Sequence, residues 1–476
     1  MTPPRATTDQ PDPPAVERSC PQGPLIPAGR RPALPRRGRA LTTALAALAC
    51  LTAQGIATTG ATAADEVVSR GVPIPAFYQP PATLPSADGA LVRTEPLRLA
   101  LSLPGLDGRP LPGTATRLMY KSTDSGGGPV AVTGAYIEPS TAWKGTGPRP
   151  LVAVAPGTMG QGDQCAASMG LEHPVVLNGE TVSVGYEDLA IYRLLASGAA
   201  VVVTDYAGLG ATDRLHTYVN RLDGGHALLD AARAARSVAG ASVTADSPVG
   251  LFGYSQGGGA SAAAAELQPT YAPELKLAGA YVGAPPANLS EVVDGIDGSA
   301  LAGALGWSLN GFLQSDPELR TIADAHLNAA GKAALRDLST MCVGDAIFGY
   351  AFEKSTAWTT SGRSVTDIVA GEPKLRAVLD SQRIGRLKPT SPVRVATGVQ
   401  DDIVPHAQAR QLAVDWCRKG ADVTYDAINL PDLGDGLLTN HLVPLLTDQG
   451  DAIAWLSDRL SGKAVTSNCW TMPLQP

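Results

Sequence analysis

Apolar residues along this chain fall into short unbroken runs separated by longer stretches rich in Ala and Leu. The runs VAVA, AVVVTD, VGLFGYS and VRVATG are continuous rather than alternating, as expected of strands covered on both faces by helices. Strands are predicted over 116–122, 130–137, 151–155, 200–205, 249–254, 277–282, 393–397 and 423–427. Helices are predicted over 188–197, 225–238, 258–267, 407–419 and 443–460. This alternation argues an α/β fold built on a mainly parallel sheet flanked by helices. The stretch DSGGGP at 124–129 lies between two strands and reads as a turn, not a phosphate loop.

Two intervals break the rhythm. Residues 64–115 hold many Pro and Gly and read as an irregular lead-in wrapping the domain. Residues 288–388 have almost no strand signal and several helical windows, among them 318–338 and 375–384. At about 100 residues this interval far exceeds the usual connection of about 2–6. It reads as a helical cap inserted before the penultimate strand. The chain therefore divides into 1–63, a first sheet-forming part over 64–287, the insertion over 288–388, and a second sheet-forming part over 389–476.

Residues 1–63 stand apart. A Pro- and Arg-rich stretch ends in Arg36-Arg37-Gly38-Arg39, an uncharged Ala/Leu/Thr run follows, and Ala61-Thr62-Ala63 supplies small residues. That order is a secretory signal peptide with a long basic region. The apolar run is short of the ~20 residues of a membrane span, so no transmembrane anchor is expected. Cys50 raises a lipoprotein reading, but Ala47 stands where such a signal wants Leu. Arg30-Arg31 and Arg36-Arg37 are weak twin-Arg candidates, which leaves the export route open. These residues carry seven Arg against three acidic residues, so their removal takes the net charge from −7 to −11. An acidic chain of this kind is no candidate for nucleic-acid binding. With 476 residues, 44% hydrophobic and 17% charged, it has ample length for a full core. Four cysteines follow the leader, Cys165, Cys342, Cys417 and Cys469, and an even number in an oxidising compartment suggests two disulfides.

The chemistry centres on Gly253-Tyr254-Ser255-Gln256-Gly257, which fits G-x-S-x-G. The motif alone is common by chance. Here it follows a predicted strand and opens a predicted helix, the context a nucleophile elbow requires. Ser255 would stand at the strand end, with the Gln256 N–H at the helix N-terminus facing an oxyanion. A serine hydroxyl needs a base, and the base an orienting acid, in the chain order Ser, acid, His. Only His326, His406 and His441 follow Ser255. His326 lies in the insertion, ahead of the acid candidate, and His406 is only five residues from it. His441, after the loop 430–440 and just before the last helix, is the candidate base. Asp401 and Asp402 follow the strand 393–397; the spacing to Gly398 and Pro405 favours Asp401. A second oxyanion donor is expected in the Gly-rich loop after strand 151–155. Thr158 is favoured, with the register open within 157–160.

PGTMGQGDQCAAS (156–168), DYAGLG (205–210) with His216-Thr217-Tyr218, GYSQGG (253–258), GVQDDIVP (398–405), His441 and the helix bearing Trp455 and Arg459 follow one another along the chain. Together, and with the lead-in Phe77-Tyr78-Gln79-Pro80-Pro81, they resemble the secretory lipase family of yeasts and actinobacteria over nearly the whole mature chain. The resemblance implies an α/β-hydrolase fold with a helical cap. It implies a Ser255–Asp401–His441 triad hydrolysing carboxylic esters, typically acylglycerols. It also implies a bridge from the oxyanion loop to the cap, which Cys165–Cys342 fits. Yeast members place a Cys close before the catalytic His, where this chain has Leu438-Thr439-Asn440, so their second bridge does not transfer. Cys417 and Cys469 are paired on their own positions, a bridge that would pin the C-terminal tail.

The resulting expectation is a secreted serine lipase or esterase. No cofactor is called for, and no Cys/His cluster has metal spacing. An ester or lipid substrate, a transient lipid-interface contact and a monomeric chain are expected. Two rivals remain: a secreted serine peptidase on the same fold, and a non-catalytic binding protein. The peptidase needs an acidic anchor for the substrate amine, for which the insertion offers Asp294, Glu318, Asp324, Asp337 and Asp345.

Overall fold

A computed structural model describes residues 67–105, 110–314 and 316–476, which belong to one compact unit. The leader reading of 1–63 lies outside the described residues. Nine strands form one sheet: β1 (Leu91–Leu97), β2 (Gly113–Thr123), β3 (Pro129–Pro139), β4 (Leu151–Ala155), β5 (Ala200–Ala207), β6 (Val249–Tyr254), β7 (Leu277–Gly283), β8 (Val393–Gly398) and β9 (Val423–Ile428). Their order is β9-β8-β7-β6-β4-β5-β3-β2-β1. The pairs from β9 to β5 are parallel, and those from β5 to β1 antiparallel.

Every residue of β4, β5, β6 and β8 is buried, which is why these strands read as unbroken apolar runs. The period of two sorts them between layers. Leu151, Ala153 and Ala155 face the helices Arg221–Ala235, Gln256–Tyr271 and His406–Arg418. Val152 and Val154 face Asp188–Ala196 and Thr439–Leu460. The 124–129 turn joins β2 to β3; Asp124 accepts from the N–H groups of Gly126 and Gly128, as Asp does in such turns.

The lead-in is more regular than expected. It contains the edge strand β1 and a short hairpin, Val67–Ser69 with Val72–Ile74. Pro96 and the alternating charges of LVRTEPL obscure β1, and only an edge strand tolerates that proline. Between β7 and β8 the described residues form seven α-helices, from Leu289–Ile296 to Pro373–Ser381, and one 3-10 turn. They share a core of their own around Leu305, Trp307, Leu338 and Trp358, closed against Tyr218, Ile403 and Val404 of the sheet domain. The window 318–338 is two helices, Pro317–His326 and Ala329–Leu338. Asn328 divides them by capping the second through the Gly331 N–H, a role Asn fills well. The window 375–384 is a helix shifted to Pro373–Ser381. No helix among the described residues is long and apolar enough to cross a membrane.

Candidate active site

Ser255 sits between β6 and the helix Gln256–Tyr271 with φ 58° and ψ −125°, backbone angles a side-chain-bearing residue rarely adopts. The neighbouring glycines make that turn feasible. A Cβ on Gly253 would lie 2.2 Å from the Gly257 carbonyl oxygen, and one on Gly257 would lie 2.0 Å from that of Ala155. The bend is held by Ser255 N–H donating to Gly283 O at 2.9 Å. The strain is therefore imposed by close packing of the helix start on two strands. The Ser255 hydroxyl makes no hydrogen bond among the described residues, a looseness common in unliganded sites.

Asp401 and His441 meet: Nδ1 of His441 lies 2.7 Å from Oδ2 of Asp401, and both side chains are almost wholly buried. The other carboxylate oxygen accepts the N–H groups of Ile403 and Val404, which fixes the plane. A carboxylate can only accept, so Nδ1 carries the proton and Nε2 is left as the acceptor nitrogen. Asp402 points elsewhere and accepts from Gly436 N–H. His441 is in the first turn of the helix Thr439–Leu460, not in the loop before it. The helix thus begins four residues before the predicted 443, with Pro444 inside it. Tyr254, next to the serine, donates its hydroxyl to the His441 carbonyl at 2.8 Å, tying base to elbow. The other two candidate histidines are engaged elsewhere. His406 bonds Tyr425 and His326 pairs with Glu372.

The loop after β4 is anchored at several points. Gly157 N–H donates to Glu187 at 2.6 Å, the Thr158 carbonyl accepts from Tyr186, and the Met159 carbonyl accepts from Val343 N–H. The Thr158 N–H donates to no group among the described residues. Cys165–Cys342 ties this loop region to the insertion, and Cys417–Cys469 ties the C-terminal tail to the helix His406–Arg418.

Two cavities flank Ser255. One, of about 330 Å³, is walled by Thr158, Glu187, Leu301, Ile347, His441 and Leu445. The other, of about 70 Å³, runs into the insertion past Leu289, Val292, Leu305, Leu309 and Val369. Glu187 is the single acidic side chain lining either, and burial pushes its carboxyl up to about 7. Nothing in the sequence marked it, because a Glu-Asp pair opening a helix reads as ordinary first-turn charge. No group of three or more potential metal ligands occurs among the described residues.

A family model described as Secretory lipase matches residues 171–468. Lipase 2 of Candida albicans is 31% identical over 417 residues, 83% of this chain and 82% of that protein. A Mycobacterium tuberculosis protein described as a probable inactive lipase is 30% identical over 400 residues, 82% of this chain and 83% of its own. Among solved structures, Candida antarctica lipase A in its closed state superposes with a TM-score of 0.68 at 20% identity, over 83% of this chain and 87% of that one. At that identity the likeness speaks for the fold.

Proposed function

The chain belongs to the secretory lipase family and has the α/β-hydrolase fold, and on that premise we propose that it is an exported serine carboxylic-ester hydrolase working through Ser255, His441 and Asp401. Family membership makes it a lipase or esterase. The relative described as inactive means that turnover must be argued from this chain's own site. The observation that carries the reading is the 2.7 Å His441–Asp401 contact beside a cavity shared with Ser255.

His441 Nε2 takes the Ser255 proton as the hydroxyl attacks the ester carbonyl. Asp401 holds the ring and stabilises the imidazolium. The Gln256 and Thr158 N–H groups donate to the tetrahedral oxyanion. His441 then protonates the departing alkoxide, and water repeats the cycle on the acyl-enzyme. His441 lines only the larger cavity, so the leaving alcohol belongs there. The acyl chain belongs in the narrower apolar arm under the inserted helices, which thereby act as a substrate-binding cap. Apolar walls on both sides of Ser255 suit acylglycerols.

The insertion supplies no anchor for the peptidase reading. Asp294 bonds Thr366, Glu318 pairs with Lys374, Asp324 with Lys332 and Asp337 with Arg70, while Asp345 accepts backbone N–H groups. None of these lines either cavity. Export through removal of residues 1–63 fits the two disulfides, and N-terminal sequencing of protein recovered outside the cell reads it directly. The decisive experiment on function is hydrolysis of p-nitrophenyl esters by wild type and Ser255→Ala. Loss on the order of 10⁴-fold or more is expected. A variant keeping more than a few per cent of turnover sinks the assignment.

A further inference from the structure

We propose that His216 and Tyr218 are positioning residues for the oxyanion pocket: one short segment, residues 216–218, grips the side chains of both residues whose N–H groups face the oxyanion. The inference rests on the serine-esterase reading above and adds to it the means by which the two donors keep their spacing.

The first grip is on Gln256. His216 Nδ1 lies 3.1 Å from the Ala207 carbonyl, which can only accept, so Nδ1 carries the proton. Nε2 is then an acceptor, 2.8 Å from the Gln256 side-chain nitrogen, which donates to it. Burial pushes the imidazole down to about 4, which keeps the ring neutral and the acceptor available at neutral pH. The grip matters because the helix opens Gln-Gly-Gly-Gly. Its first turn has no other side chain to fix the Gln256 peptide.

The second grip is on Thr158, whose hydroxyl lies 2.7 Å from the Tyr218 hydroxyl. With the Thr158 carbonyl held by Tyr186 and the Gly157 N–H by Glu187, this contact fixes the side chain of a residue whose flanking peptides are both anchored, and whose own N–H donates to no group among the described residues. The segment is itself rigid. The Tyr206 ring stacks on His216 with centroids 5.6 Å apart, and Gln161 donates to the His216 carbonyl at 2.9 Å. The Trp307 ring of the insertion meets Tyr218 edge-on at 5.7 Å. An oxyanion pocket stabilises only if its donors are already aimed before charge develops, so both grips act on the transition state rather than on substrate binding.

The test uses the full mature protein with p-nitrophenyl butyrate, plus a boronic acid whose tetrahedral Ser255 adduct mimics the transition state. Tyr218→Phe keeps the ring and its packing and removes only the hydroxyl. It is expected to lower kcat about tenfold with KM within twofold, and to weaken the boronic acid by a similar factor, short of the roughly 10²–10³ for losing a donor outright. Thr158→Val should do the same, the double variant should be no worse than either single one, and Thr158→Ser should recover most of what Thr158→Val loses. The Thr158 pair also keeps the question answerable if Tyr218→Phe folds poorly. A loss carried by KM, an unchanged boronic acid affinity, multiplicative losses in the double variant, or full kcat in Tyr218→Phe overturns the proposal. An inactive wild type, or an active Ser255→Ala control, would instead overturn the serine-esterase reading beneath it.

Discussion

Asp401 and Asp402 are chain neighbours of the same chemical type, and backbone hydrogen bonds separate their roles. Asp401 has one oxygen on the Ile403 and Val404 N–H groups and the other on His441. Asp402 holds Gly436, in the loop before the base. Asp401→Asn is expected to reduce kcat about 10⁴-fold by stabilising the wrong tautomer. Asp402→Asn, whose amide oxygen can still accept the Gly436 N–H, should stay within about threefold. Steady-state kinetics on both decides it, and a reversed ranking would move the acid by one residue. Glu187 gives a prediction of a different kind. Its folded carboxyl titrates near 7 because of burial, against 4.5 unperturbed. A raised acid binds its proton more tightly when folded, so its contribution is greatest below 4.5 and is lost as pH rises to 7. Over that window the shift amounts to about 3 kcal/mol. Glu187→Gln removes this slope, so its stability relative to wild type should rise by that order between pH 5 and pH 8 in urea unfolding. Asp163, also pushed up to about 7, is common to both proteins and cancels, whereas Asp188, whose charge adds to the upward push on Glu187, shares in the slope that the substitution removes. A difference that stays flat with pH would show that Glu187 is ionised throughout. Fold order restricts where a nucleophile, acid and base can fall, and that rule pointed to Ser255, Asp401 and His441, of which the structure brings Asp401 and His441 into contact. Glu187, His216 and Tyr218 had no such rule to place them. Their roles depend on contacts 30 to 60 residues away in the chain.

At the scale of elements, the buried parallel strands were readable almost to the residue, since burial on both faces leaves an unmistakable apolar run. What was not readable lay where tertiary context overrides pattern. The edge strand β1 pairs on one side only and carries charges, and a capping Asn cut one helical window in two. Within the insertion, two apolar segments, 301–307 and 347–352, divide between cavity wall, core and surface. Leu301, Leu305 and Ile347 line cavities, Trp307 is core, and Phe348 and Gly349 face outward. Bulk at Gly349 therefore should not obstruct an acyl chain. Leu309, which lines the narrow arm and is only partly buried, is the better probe. Leu309→Trp should take the room of about two methylenes, each worth about 0.8 kcal/mol. That predicts a fall of about tenfold in kcat/KM for decanoate relative to acetate esters. Gly349→Trp should leave the ratio unchanged. Equal effects of the two on chain-length preference would mean the acyl chain lies elsewhere, with thermal unfolding used to confirm that both variants are folded.

For the whole molecule, the two disulfides separate stability from function. Cys165–Cys342 spans 177 residues and Cys417–Cys469 spans 52. Loop-closure entropy alone would assign them about 5 and about 4 kcal/mol respectively, with typical measured values of about 2–4. The two are too close to be told apart by stability. Their positions, however, differ in kind. Cys342 pairs in backbone register with Gly160 of the loop after β4, and the flanking Val343 N–H and Met341 carbonyl bond Met159 and Gln161. The bridge therefore clamps the insertion to the loop that presents Thr158. Cys469 sits in the C-terminal turn beside β9, on the helix layer opposite the one that carries His441. Replacing Cys165 and Cys342 together by Ala should lower both the unfolding midpoint and, at temperatures where the protein stays folded, kcat. Replacing Cys417 and Cys469 should lower the midpoint by a comparable amount and leave kcat within about twofold. The measurement is kcat at 15–20 °C below each variant's own midpoint, which removes the shared loss of stability from the comparison. Equal kcat in the two double variants would show that the oxyanion loop keeps its shape through the backbone pairing alone, and that the bridge across it acts only on the unfolded chain.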